Sequence, residues 1–225
     1  MNTKHIRMPL DILMTLVSIV LMGGAYLFPE DIVHEICGVT MFILWAVHIT
    51  LNRRWYGALS RGKYNAHRIL QTVINCGILV CVIFLMISAI ILSNHIFTFL
   101  GIESGLGFAR TAHLLASHWY FMFMSLHIGL HADMLAGKTK APREGVPAII
   151  LRVVFILISI YGIYAFITRG IWRYLILQQQ FFFFDFERGY ILFALDYISI
   201  IILFATAIHY LIKLIKKGKT NEHNS

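Results

Sequence analysis

The sequence predicts an all-α fold: a polytopic membrane helical bundle of six transmembrane helices, with both termini cytoplasmic. Three observations carry that prediction. Apolar residues make up 59% of the 225-residue chain, and the mean hydropathy is +0.75, a composition that soluble domains rarely approach. Six runs approach or exceed the roughly 18 residues needed to cross a hydrocarbon core. Lysine and arginine gather in alternate connections, as they do when one side of a membrane is the cytoplasm.

The first run, about 9–28, has no small-residue cleavage site after it and leads straight into a second. It is therefore expected to be a retained helix and not a signal peptide. The second and third runs, 33–51 and 69–93, are joined by LNRRWYGALSRGKYNAHR (51–68). There cations alternate with Trp55, Tyr56, Leu59 and Tyr64, the pattern of a piece lying at the lipid headgroups, with contact to a cofactor or partner as the alternative. The fourth, fifth and sixth runs are 110–136, 147–168 and 189–212. The connection 169–188 includes QQQFFFFDFERG, read as an interfacial or re-entrant turn, with a subunit-docking surface as the alternative. The closing KKGKTNEHNS is polar and expected to be disordered, with His223 exposed.

Charge fixes the orientation. Lys4, Arg7, Arg53, Arg54, Arg61, Lys63, Arg68, Lys138, Lys140, Arg143, Lys213, Lys216, Lys217 and Lys219 all fall on one side. The other side holds Arg110, Arg169, Arg173 and Arg188, and Arg152 lies inside a run. The first group marks the cytoplasm. Topology thus accounts for the net charge of +8 without nucleic acid as a partner. The chain divides into a four-helix core, 1–136, and two additional helices with a tail, 137–225.

Histidine supplies the functional pattern. HEICGVTMFILWAVH (34–48) and HLLASHWYFMFMSLH (113–127) have the same length, with histidine at each end. Fourteen helical steps return to nearly the same face, about 21 Å further along the axis. The second and fourth runs point the same way. Packed together, they place His34 opposite His113 and His48 opposite His127, one pair in each leaflet. Ionisable residues inside a membrane are expensive and usually functional, and a b-type haem takes one imidazole on each face of its iron. The expectation is two non-covalent b-type haems in a four-helix dihaem core, with iron held by His34, His113, His48 and His127. None of Cys37, Cys76 and Cys81 sits in the CxxCH that attaches haem covalently.

Gly38, Met41 and Trp45 on the second run, and Ala116, Ser117, Tyr120 and Met124 on the fourth, lie where haem walls or ordinary core would be. His118 is rotated off the ligand face. His131 returns to the angle of His113 but would stretch the pair to about 27 Å, so His127 is preferred and His131 is expected beside the site. Contacts to a quinone or to haem propionates are expected from His131, His67, Arg68, Arg53 and Arg54 at the cytoplasmic end, and from Arg110 at the other. Asn94, His95 and Glu103 are weaker candidates there. Asp11 and Asp196 suit either proton transfer or pairing with a buried cation such as Arg152.

The strings HITLNRRWYGALSRGKYN (48–65) and ISAIILS (87–93), with RxxH…HxGLH from Arg110 to His131, resemble a bacterial family of predicted membrane b-type cytochromes, a domain of unknown function. The likeness covers about 9–135. In architecture the chain is similar to the dihaem core of respiratory cytochrome b and to the cytochrome b subunits of hydrogenases and formate dehydrogenases. The resemblance implies a multi-pass protein of the bacterial inner (cytoplasmic) membrane.

Two haems in series would carry electrons across the bilayer between a (mena)quinone pool and a partner redox protein. The chain has no GxGxxG, P-loop or CxxC cluster, so flavin, nicotinamide or iron–sulfur chemistry falls to a partner. It is then an electron-transfer subunit or a quinone-linked oxidoreductase. Other readings are a single-subunit oxidoreductase acting on superoxide or ferric iron, and a non-redox transporter or membrane anchor and assembly protein. The prolines (Pro9, Pro29, Pro142, Pro147) sit at run ends, unlike the mid-membrane breaks of many transporters.

Overall fold

The computed structural model describes residues 4–142 and 144–223, with side chains from 6 to 142 and from 144 to 217. Expectations placed on Arg143 and on the side chains of Lys4, Lys219 and His223 lie outside it. Among the described residues every regular element is helical. The long helices are α1 (Lys4–Met22), α2 (Ile32–Leu51), α4 (Ala66–Leu92), α5 (Leu106–Leu130), α7 (Gly145–Thr168) and α9 (Gly189–His223). Short ones, α3 (Arg53–Ala58), α6 (Ala132–Lys138) and α8 (Ile171–Leu175), sit in connections.

Four helices, α2, α4, α7 and α9 as far as Lys217, are long and apolar enough to cross a membrane. Their exposed residues are apolar too. Ile36, Ile43 and Val47 on α2 and Ile149, Leu157, Ile160 and Ile167 on α7 all face outward, a surface suited to lipid and not to water. In α5, of similar length, His113, His118 and His127 dilute the apolar run.

Local chemistry sets the boundaries. α1 ends at Gly23–Gly24, where Gly24 adopts φ +64°, a conformation that costs residues with a Cβ. The first helix therefore stops at Met22 and a single 3-10 turn follows, Gly24–Leu27. α4 starts early because the Asn65 side chain caps it, accepting from the Arg68 N–H at 2.9 Å. The fourth run is two helices and not one, broken at His131 between α5 and α6. At the other extreme, α9 continues to His223 through the polar tail expected to be disordered.

The core lies between α1, α5, α7 and α9. Ile19 and Met22 meet Phe121 and Met124 of α5, Ala165 of α7, Ile171 of α8, and Phe193, Tyr197, Ile200 and Ile201 of α9. The last two long helices thus share one core with the first half of the chain. Two glycines allow the close approach. A Cβ on Gly129 would run into Ala205 and Ile208 of α9, and one on Gly162 into the Ser199 carbonyl.

Asp196, fully buried on α9, lies in this region. It accepts from Arg169 Nε at 2.8 Å and from the Tyr161 hydroxyl at 2.6 Å, with Arg188 at 3.7 Å. Its cations therefore come from the connection 169–188 and from the last residues before α9. The sequence could not choose between these and Arg152, because pairing across 27 residues depends on how the connection folds back. The phenylalanine run folds back with it. Phe184 is buried in the core and Phe182 packs against it, stacking on Tyr26, whereas Phe181, Phe183 and Phe186 are exposed. An extended strand of chain alternates its sides, and half of this one faces protein.

α2 stands apart. It buries only Met41, packs along α1 and meets α4 lightly. Polar clamps hold it instead. At one end, the Glu35 carboxylate accepts from Ser93 Oγ (2.7 Å), Asn94 N–H (2.7 Å) and Ile96 N–H (3.0 Å). At the other end, Arg7 Nη2 donates to the Leu51 carbonyl at 2.8 Å.

Candidate functional site

The spacing of histidines on α2 and α5 becomes two facing pairs. The rings of His34 and His113 have centroids 6.4 Å apart at an interplanar angle of 64°. Those of His48 and His127 are also 6.4 Å apart, at 72°. Each pair takes one residue from α2 and one from α5, so the two helices run parallel and the pairs lie at opposite ends of the gap between them. Two metal–imidazole bonds of about 2 Å each, plus the step from each nitrogen to its ring centre, sum to about 6 Å. Both pairs match that span.

The outward nitrogens are equally consistent. His48 Nδ1 lies 2.8 Å from Asp11 Oδ1. A carboxylate only accepts, so the proton is on Nδ1. His127 Nδ1 lies 2.8 Å from Asn75 Oδ1. His113 Nδ1 lies 3.0 Å from Ser88 Oγ, whose own hydrogen is directed to the Phe84 carbonyl at 2.6 Å, which leaves the hydroxyl to accept. His34 is hydrogen-bonded to the backbone of Gly24. In three of the four, His48, His113 and His127, the partner is on Nδ1, which leaves Nε2 for the gap. Nδ1–H donated to an acceptor is the arrangement that orients a metal-ligating imidazole and raises its basicity.

The gap has room on the α2 side: a Cβ added at Gly38, one turn beyond His34, meets nothing within 4 Å. The α5 side is less open. Met124 is buried, Tyr120 packs on the central core, and its hydroxyl lies 3.3 Å from Ser18 Oγ. Ala116 is buried as well. These three serve the bundle core whatever else they border. Among the described residues no group of three or more His, Cys, Asp or Glu is placed to hold a bare metal ion. Two imidazoles facing each other are what an iron already held by four porphyrin nitrogens requires. The residues present fit such a group.

The remaining predicted contacts divide. His131 stacks edge-on against His127, 4.8 Å between centroids, beside the pair and not within it. His67 is close enough to His131 to interact electrostatically. Arg68 is committed: it donates to the carbonyls of Ala58 (2.5 Å) and Lys63 (3.5 Å) and covers the Tyr64 ring. Arg53 and Arg54 are exposed at the start of α3, and Arg110 is exposed near the start of α5. Glu103 is exposed also. Asn94 gives its backbone N–H to Glu35. His118 points away from α2 and stacks flat on Tyr174, 4.1 Å between centroids.

Asn75, Ser88, Gly24 and Glu35 were not foreseen. Asn75 and Ser88 had a signal, since each is a polar residue inside a strongly apolar helix, where an unpaired group is costly. The carbonyl of Gly24 had none, because every residue carries one. Asp11, for which the sequence leaves open proton transfer or pairing with a buried cation, pairs with His48.

No family model, curated protein or solved structure matches this chain.

Proposed function

We propose that this chain is a membrane dihaem b-type cytochrome of the bacterial inner membrane. It would carry electrons across the bilayer between a (mena)quinone pool and a partner redox protein. In this reading all six long helices span, α1, α2, α4 and α5 frame the dihaem core, and both termini are cytoplasmic. The His34 end of the gap then faces outward and the His48 end faces the cytoplasm.

One observation carries it: two imidazole pairs at the same 6.4 Å separation, with His48, His113 and His127 each anchored through Nδ1. His34 and His113 would hold one haem, and His48 and His127 the other. A bound haem supplies reversible one-electron storage at a potential set by its ligands and surroundings. The chain's own residues do the rest. The Gly24 backbone, Ser88, Asp11 and Asn75 fix ring orientation and tautomer. The carboxylate on His48 makes that imidazole the more electron-donating of its pair. His131 and His67 stand at the cytoplasmic end, where they can take up or release a proton as charge arrives.

A pyridine haemochrome count with reduced-minus-oxidised spectra on purified protein tests the assignment. About two b haems per chain are expected, with one lost in each of His34→Ala, His48→Ala, His113→Ala and His127→Ala. A colourless protein after haem-supplemented expression would overturn it.

A further inference from the structure

A cavity of about 810 Å³ opens at the His34 end of the bundle. Its walls include Tyr26 and Phe28 from the α1–α2 connection, Phe186 from the connection before α9, Tyr190 at the start of α9, and Asp31 and His95. Three separate connections therefore converge on it. Tyr26 is fixed by Phe182, stacked at 6.3 Å, and by Phe186, edge-on at 6.3 Å. The cavity adjoins the His34–His113 pair: Asp31 and Ile32 immediately precede His34 on the chain, and Ala25 in the lining is next to the glycine that bonds to His34.

Its polar feature is a dyad. His95 Nε2 lies 2.7 Å from Asp31 Oδ1, and that hydrogen bond holds the Asp31 carboxyl below the usual carboxylate range. With Nε2 donating to the carboxylate, Nδ1 is the nitrogen left for a ligand. A neutral ring accepts there from a hydroxyl, and a protonated ring donates to a carbonyl. Glu30 also lines the cavity and no lysine or arginine does, which disfavours phosphates and other anions. The absence of a metal-holding cluster among the described residues disfavours a divalent cation. Aromatic walls, one switchable hydrogen-bond partner and a volume in the usual range for small-molecule sites suit a flat, uncharged ring that alternates between carbonyl and hydroxyl.

We infer that this cavity binds a quinone head group between Tyr26, Phe28, Phe186 and Tyr190, with His95 hydrogen-bonding one ring oxygen and Asp31 orienting His95. The inference rests on the proposed function and places its quinone site at the His34 end. The cytoplasmic end offers less: the cavity beside His67 and Arg68 is about 280 Å³, and Arg68 is already engaged.

Photolabelling of the full-length protein in nanodiscs with a short-chain azidoquinone, mapped by mass spectrometry, tests the site. Label is expected within 24–32 and 186–190, displaced by unlabelled short-chain naphthoquinone. His95→Gln should weaken displacement about five- to tenfold, the effect of losing one hydrogen bond to a ligand. Tyr26→Leu, a second variant with a different fold dependence, should weaken it as well. Haem content is counted on the same samples. Label confined to 55–72, label that unlabelled quinone does not displace, no label at all, or label unchanged in both variants would overturn the cavity assignment. Specific label here on a protein without haem would keep the cavity and overturn the cytochrome reading. Haem at full count with label elsewhere would do the reverse.

Discussion

Asp11 Oδ1 and His48 Nδ1 lie 2.8 Å apart, joining α1 to α2 at one end of the gap. His48 is the only one of the four facing histidines whose outer nitrogen meets a charged partner. Its counterpart across the gap, His127, meets the neutral amide of Asn75. In the proposed cytochrome this asymmetry distinguishes the two haems. Asp11→Asn should lower haem affinity at the His48–His127 pair by about 10- to 100-fold, the usual cost of losing a partner behind a ligating imidazole. The other haem should be unaffected. Haem titration into haem-depleted protein, followed at the Soret band, reads both sites at once.

Gly38 separates a packing role from a ligand role. Nothing lies within 4 Å of a Cβ added there, and leucine favours a helix over glycine by up to about 1 kcal/mol. Gly38→Leu should therefore leave the haem-free protein at least as stable as the original. The same side chain would intrude on the slot beside His34, so the haem count should fall from about two to about one. An unchanged count would show that the slot does not pass Gly38.

Glu35 tests how α2 is held. Alanine there strands the Ser93 hydroxyl and the N–H groups of Asn94 and Ile96, all of which now donate to the carboxylate. Hydrogen bonds to a charged group are worth about 1.5–3 kcal/mol each, less where water can replace them. Because the site is partly open, a total loss of about 2–3 kcal/mol is expected. Glu35→Ala should show it in denaturant titration of the detergent-solubilised protein. The haem at the His34 end should dissociate before the one at the His48 end.

Asp196 gives the largest predicted effect on stability. Asp196→Asn leaves Arg169 beside a neutral group in a buried setting, and breaking a buried pair from one side costs about 3–5 kcal/mol. Replacing the whole cluster with apolar residues (Asp196→Leu, Arg169→Met and Arg188→Met together) should recover most of that loss. Equal destabilisation in the single and triple variants would mean that the cluster does more than balance charge.

Helical periodicity, apolar length and the spacing of like residues are local properties, and the sequence carried them by itself. It specified an all-helical chain with long apolar helices. It also put His34 with His48, and His113 with His127, on common helix faces, because fourteen residues is close to four whole turns. The tertiary structure alone decided what faces those histidines from behind. Asp11 comes from α1 and Asn75 and Ser88 from α4, and only packing brings them within about 3 Å of a ring nitrogen. The return of Phe182 and Phe184 to the core, the arginines chosen by Asp196 and the clamping of α2 by Glu35 have the same origin. Each is a contact between residues distant in sequence, and its geometry is fixed by how helices lie against one another and not by the residues' own preferences.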